Sequence, residues 1–113
     1  MIISVDFDGT LSLNGCWPEP GEPNLKLIDY IKKRRKNGDK IILWTCRTEK
    51  DLEIALAWCD KQELEFDAIN DNLPEVVEYW GINSRKIECD IYIDDKAVWN
   101  DLYERYPIVD TEE

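Results

Sequence analysis

The chain contains no histidine among its 113 residues. That excludes Ser–His and Cys–His catalysis and leaves carboxylates, lysine or tyrosine for any proton transfer. The four cysteines, Cys16, Cys46, Cys59 and Cys89, form no C-x-x-C pair. With histidine also missing, the ligand supply speaks against zinc, and wide spacing reads as reduced thiols in a cytoplasm. No apolar run approaches the roughly 18–20 residues of a membrane span. The N-terminus lacks the basic, apolar, small-residue order of a secretory signal. A cytoplasmic protein without membrane attachment is the expectation.

Positive charge is scarce as well. Fourteen Lys and Arg face 25 Asp and Glu, for a net charge of −11, which argues against an extended nucleic-acid surface, since phosphate backbones are held by accumulated cations. The one local exception is KKRRK, Lys32 to Lys36. It reads as the solvated end of a helix, where cations suit the negative dipole terminus, and Asn37-Gly38 follows as a stop signal.

Apolar residues make up 43% of the chain, with five Trp and five Tyr. That is enough for one packed domain over residues 1–113, with 109–113 as a frayed acidic tail. Four runs read as strands: Ile2–Phe7, Lys40–Thr45, Phe66–Asn70 and Asp90–Asp94. KIILWT is nearly continuous in apolar residues, as in a strand buried on both faces of a parallel sheet. Between the strands, Leu25, Ile28 and Ile31 recur at helical spacing, and a second helix over about 50–62 sets Leu52, Ala55, Leu56 and Cys59 on one face. A short helix is expected over Pro74–Trp80, with Asn72 as its N-cap and Pro74 in its first turn. A fourth follows Asp95 through about Tyr103, before Pro107. Alternating strands and helices at this spacing predict an α/β fold with a central parallel sheet.

Every strand ends in polar residues: Asp6-Phe7-Asp8, Thr45-Cys46-Arg47, Asn70-Asp71-Asn72 and Asp94-Asp95. In an open α/β sheet, ligands bind outside the carboxyl ends of the strands, so these groups are expected in one crevice. Two carboxylates ~4 Å apart repel by about 4 kcal/mol at an effective dielectric near 20. A convergence of Asp6, Asp94 and Asp95 therefore calls for a cation or shared protons. An oxygen-only donor set suits a hard ion, magnesium first, and magnesium points to phosphate chemistry, with Asp able to act as the nucleophile.

These residues resemble the signatures of the haloacid dehalogenase superfamily of phosphatases. DFDGT, Asp6 to Thr10, is similar to its first signature and WTCRT, with Thr45, to its second. Lys86 in SRKIECDIYIDD is similar to the third, and Asp94-Asp95 to the acidic fourth. All four occur in family order over residues 2 to 95. The resemblance implies a three-layer Rossmann-like fold and a magnesium-dependent phosphohydrolase working through an aspartyl-phosphate. Asp6 would be the nucleophile and Asp8 the general acid and base, with Thr45 and Lys86 completing the catalytic set. Gly9, Thr10, Thr45, Cys46 and Lys86 would surround the phosphate, and Arg47, beside the second signature, either contacts a second substrate phosphate or leaving group or makes a surface ion pair. Magnesium would be held by Asp6, the Asp8 carbonyl and Asp94, with Asp95 as a further ligand or an outer-shell partner.

The family's cap domains have no room here. Residues 11–24 allow a turn and a short flap, with Trp17 placed to touch substrate, and 71–85 hold one short helix. The site is then open unless a second copy of the chain covers it. An open site suits a phosphorylated small molecule or a phosphorylated macromolecular terminus, and no residue decides between them. Two alternatives stay in view: a non-catalytic binding module on the same fold, and a phosphotransferase or pyrophosphatase using the same groups. Asn70 and Asn72 either line the rim or make Asx-turns.

Overall fold

Residues 1–95 and 102–108 are described by a computed structural model. Four parallel strands form the central sheet: β1 (Ile2–Val5), β4 (Lys40–Leu43), β5 (Ala68–Ile69) and β6 (Ile91–Ile93), in the order β5-β4-β1-β6. Between β1 and β4 the chain inserts a small antiparallel ribbon, β2 (Ser12–Leu13) with β3 (Glu22–Pro23), and then helix α1 (Leu25–Lys36). Helix α2 (Glu49–Lys61) links β4 to β5, α3 (Pro74–Trp80) lies between β5 and β6, and α4 (Leu102–Arg105) follows β6.

Side-chain alternation along each strand separates two layers of core. Ile3 and Val5 of β1, with Ile41 and Leu43 of β4, face the larger cluster, which takes in Leu27, Ile28 and Ile31 of α1 and Ala55 and Cys59 of α2. Ile42 faces the other way, onto Leu73 and Ile87 beneath α3. Ile41, Ile42 and Leu43 are all fully buried, as the continuous apolar run of KIILWT requires. Helices on both faces of a parallel sheet make the fold α/β and Rossmann-like, with no cap domain among the described residues.

Helix α1 starts at Asn24, whose side chain accepts the Leu27 N–H, and stops at Asn37 before Gly38, at φ +102°. Its basic end is neutralised locally. Lys33 pairs with Asp29, Arg34 with Asp39, and Arg35 with Glu65 and Asp67. Helix α3 has its expected limits, but Asn72 is not its cap. Leu73 holds that position with no side-chain cap bond. The Asn72 amide instead donates to Asn83 Oδ1 and the Lys86 carbonyl and accepts the Glu88 N–H. Asn72 is buried, and satisfying a buried amide in the 83–88 loop outweighs one exposed helix N–H. The beginning of the fourth expected helix, 96–101, and the tail, 109–113, lie outside the described residues.

The chain leaves β1, runs to β4 and β5 on one side, and returns to β6 on the other. The carboxyl end of β1 therefore sits at the point where the strand order reverses, the place where this class of sheet opens a crevice.

Candidate metal and phosphate site

Register brings the acids together. Val5 of β1 is level with Ile93 of β6, and the Asp6 N–H donates to the Ile93 carbonyl at 2.9 Å. The next residue along each strand is an aspartate, Asp6 on one and Asp94 on the other. Adjacent parallel strands run about 4.8 Å apart, so two residues 88 positions apart in the chain become neighbours. Asp95 comes in from the loop, its N–H donating to Thr10 Oγ1 at 3.1 Å. Carboxylate oxygens of Asp6, Asp94 and Asp95 all lie within 4.8 Å of one another.

The electrostatics of that cluster favour a cation. The Asp6 carboxyl is pushed up to about 6, chiefly by burial. The Phe7 N–H works against the shift, and the charges of Asp94, Asp95 and Asp8 add to it. Three hard oxygen donors with Asp6 half-buried can hold a metal ion. A hard ion bound at about 2.0–2.6 Å per oxygen spans roughly 4–5 Å from donor to opposite donor, which matches this spread.

Gly9 makes the cluster possible. At φ +80° it turns the chain after Asp8, and its missing Cβ leaves the space that Asp95 occupies. A methyl group there would come 2.4 Å from Asp95 Oδ2. Gly9→Ala is therefore expected to combine about 1–2 kcal/mol of left-handed strain with displacement of Asp95. Magnesium titration by calorimetry should show affinity falling at least tenfold. Unchanged affinity would mean that Asp95 takes no part in holding the ion.

Thr45 stands two residues beyond β4, level with the same crevice. Asn70, at φ +54°, accepts the Thr45 N–H at 2.7 Å and donates to the Arg47 carbonyl at 3.3 Å. The Thr45 hydroxyl accepts the Arg47 N–H at 3.2 Å, which leaves its own proton for a ligand. Cys46 between them is exposed. Lys86 is exposed too, and no ion pair among the described residues draws its ammonium to the acids. What is fixed is its main chain, through the Asn72 amide.

Arg47 has a different setting from the one expected of a phosphate ligand. Its side chain is 0% exposed, and it forms a forked ion pair with Asp8: Nε to Oδ2 at 2.9 Å and Nη2 to Oδ1 at 2.8 Å. Nη1 donates to the carbonyls of Pro18 and Asp51.

No protein-family model and no curated protein matches the chain. Among solved structures, a conserved protein coded by a locus of Bacteroides thetaiotaomicron superposes with a TM-score of 0.74 at 38% identity, over 87% of this chain and 78% of that one. The chain belongs to the family of that protein.

Two features of this family member were not visible in the linear pattern. One is Asn70 as a clamp on the 45–47 turn, for which its place at a strand end was the only signal. The other is the ribbon of residues 12–23, which is tied down at several points. The Phe7 carbonyl accepts the N–H groups of Thr10, Leu11 and Ser12, and Asn24 bonds both the Thr10 and Leu11 carbonyls. Gly21 packs so closely that a Cβ would lie 1.9 Å from the Leu13 carbonyl oxygen, and Trp58 Nε1 donates to the Gly21 carbonyl. No helix among the described residues is long and apolar enough to cross a membrane.

Proposed function

We propose that the protein is a metal-dependent phosphohydrolase of the haloacid dehalogenase type, with magnesium as its ion. The observation that carries this reading is the convergence of Asp6, Asp94 and Asp95 at the carboxyl end of β1 and β6, with Asp8 two residues beyond the nucleophile position. The donor set contains only carboxylate oxygens, which fits magnesium. When bound there, the ion neutralises the acids and the phosphate so that an anionic nucleophile can approach an anionic substrate.

Asp6 would attack phosphorus, forming the aspartyl O–P bond as the ester P–O bond breaks. Asp8 would give its proton to the leaving oxygen. It would then take a proton from the water that attacks the phosphoaspartate, releasing phosphate and restoring Asp6. The Thr45 hydroxyl, the Gly9-Thr10 turn and Lys86 are the groups assigned to the phosphoryl oxygens, where donors are worth most as charge spreads. Lys86 would reach them from the loop that Asn72 staples. The crevice is open, which favours a phosphate carried by a small molecule or by the end of a larger one.

The test is phosphate release from a broad panel of phosphorylated compounds, with magnesium and with chelator. Magnesium-dependent release is expected, with a loss to background in chelator. Silence across the panel, or release that ignores the chelator, would overturn the reading.

A further inference from the structure

We propose that Arg47 is a positioning residue for Asp8 and makes no contact with phosphate. This rests on the phosphohydrolase reading and assigns a role to the largest fully buried side chain among the described residues. A guanidinium offers five N–H donors and no acceptor, and here four of the five are spent inside the fold. Two go to the oxygens of Asp8, one to the Pro18 carbonyl at 2.8 Å and one to the Asp51 carbonyl at 3.0 Å. With its side chain 0% exposed and a single N–H uncommitted, Arg47 has no access to a substrate phosphate.

What the arrangement does provide is orientation. The Asp8 side chain is 42% exposed and its own torsions are short and free. Both oxygens accept from a planar fork through one lone pair each, which fixes the plane and position of the carboxyl group and leaves the outer lone pairs to carry the proton that Asp8 moves. The fork is itself held from three directions. Pro18 belongs to the loop joining β2 to β3, and Asp51 belongs to the first turn of α2. The guanidinium carbon also lies 5.0 Å from the ring centre of Phe7 and 4.5 Å from that of Trp17. Acid–base catalysis requires the carboxyl within about 2.6–3.2 Å of the proton it moves. An ångström of misplacement can cost about 10²-fold in rate. Trp17, expected to touch substrate, lays its ring against Arg47 while staying 59% exposed, so the ribbon and the Asp8 carboxylate share one anchor.

The experiment compares wild type, Arg47→Ala, Arg47→Lys, Asp8→Asn and the Asp8→Asn/Arg47→Ala double variant with magnesium present. Two substrates are used: 4-nitrophenyl phosphate, whose leaving group departs without a proton, and an alkyl phosphate, whose leaving group requires one. kcat/KM reports the step in which Asp8 acts as acid, and the inhibition constant of inorganic phosphate reports phosphate binding. Arg47→Ala should lower kcat/KM by about 10²-fold on the alkyl phosphate, within the range for losing a general acid, and by much less on 4-nitrophenyl phosphate. The phosphate inhibition constant should stay within twofold, and the double variant should be no slower than Asp8→Asn alone. Arg47→Lys, which keeps charge but loses the fork, should fall between wild type and Arg47→Ala, and it carries the test alone if Arg47→Ala does not fold. A weaker inhibition constant, an equal loss on both substrates, or multiplying losses in the double variant would overturn the proposal. If wild type turns over neither substrate, the phosphohydrolase reading itself fails, and this inference falls with it.

Discussion

Asp6→Asn is expected to abolish turnover and, in the same protein, to raise the thermal stability of the metal-free form at neutral pH. The first effect follows from chemistry, since a neutral amide is a poor nucleophile toward phosphorus. The second follows from the cluster. With the Asp6 carboxyl at about 6 in the folded protein, against 3.8 for the free group, the folded state keeps a proton between those values that the unfolded chain has already released. Stability therefore falls as pH rises through that window, and above about pH 6 the folded protein carries a half-buried charge facing three other carboxylates. Asparagine removes that charge. Melting temperatures of both proteins, measured without metal from pH 4.5 to 7.5, should show the variant gaining on wild type as pH rises. Magnesium should then narrow the gap at pH 7.5 by binding the folded wild type. Near-normal turnover in Asp6→Asn would remove the nucleophile from the scheme. A variant less stable than wild type at pH 7.5 would refute the electrostatic account.

Phe7→Ala should cost about 3–5 kcal/mol, the usual range for truncating a buried aromatic. That is a large share of the roughly 5–15 kcal/mol by which domains of this size are stable. Phe7 is fully buried, meets Trp58 of α2 edge-on with centroids 5.3 Å apart, and lies against the Arg47 guanidinium. Its carbonyl also gathers three N–H groups of the turn that carries Gly9. Truncation would thus open a cavity at the residue between Asp6 and Asp8. Denaturant unfolding should show the midpoint dropping with an unchanged slope, the mark of lost stability without a change in the surface exposed. A cost below about 1.5 kcal/mol would mean that the surrounding side chains collapse into the space. Phe7 would then be a lesser part of the core.

Which features could be read along the chain, and which could not, follows from how far apart the interacting residues are. Helices α1, α2 and α3 were legible because their signals are local: apolar residues every three or four positions, Asn37-Gly38 after α1, Pro74 at the start of α3. The four sheet strands were legible as apolar runs, although each ends one or two residues sooner than its run, where the chain leaves the sheet ladder. The ribbon of β2 and β3 was not. Its strands are two residues long, too short for any period, and close packing around Gly21 rather than patterning defines them. Asn72 misled for a related reason. An asparagine two residues before a helical proline looks like a cap, but the Asn83, Lys86 and Glu88 groups that claim its amide lie eleven or more positions away.

By itself the sequence determined the parallel α/β arrangement and the candidate acids. Strand alternation and residue type are properties of neighbouring positions, and a D-x-D-G-T turn after a strand carries its chemistry in five residues. Only the tertiary structure decided that Val5 and Ile93 are in register, which makes Asp6 and Asp94 neighbours and supplies three oxygens for one ion. Only it decided that Arg47 is buried against Asp8, 39 positions away. A buried guanidinium must find acceptors for its donors, and which acceptors are in reach is set by how β1, the ribbon and α2 pack together.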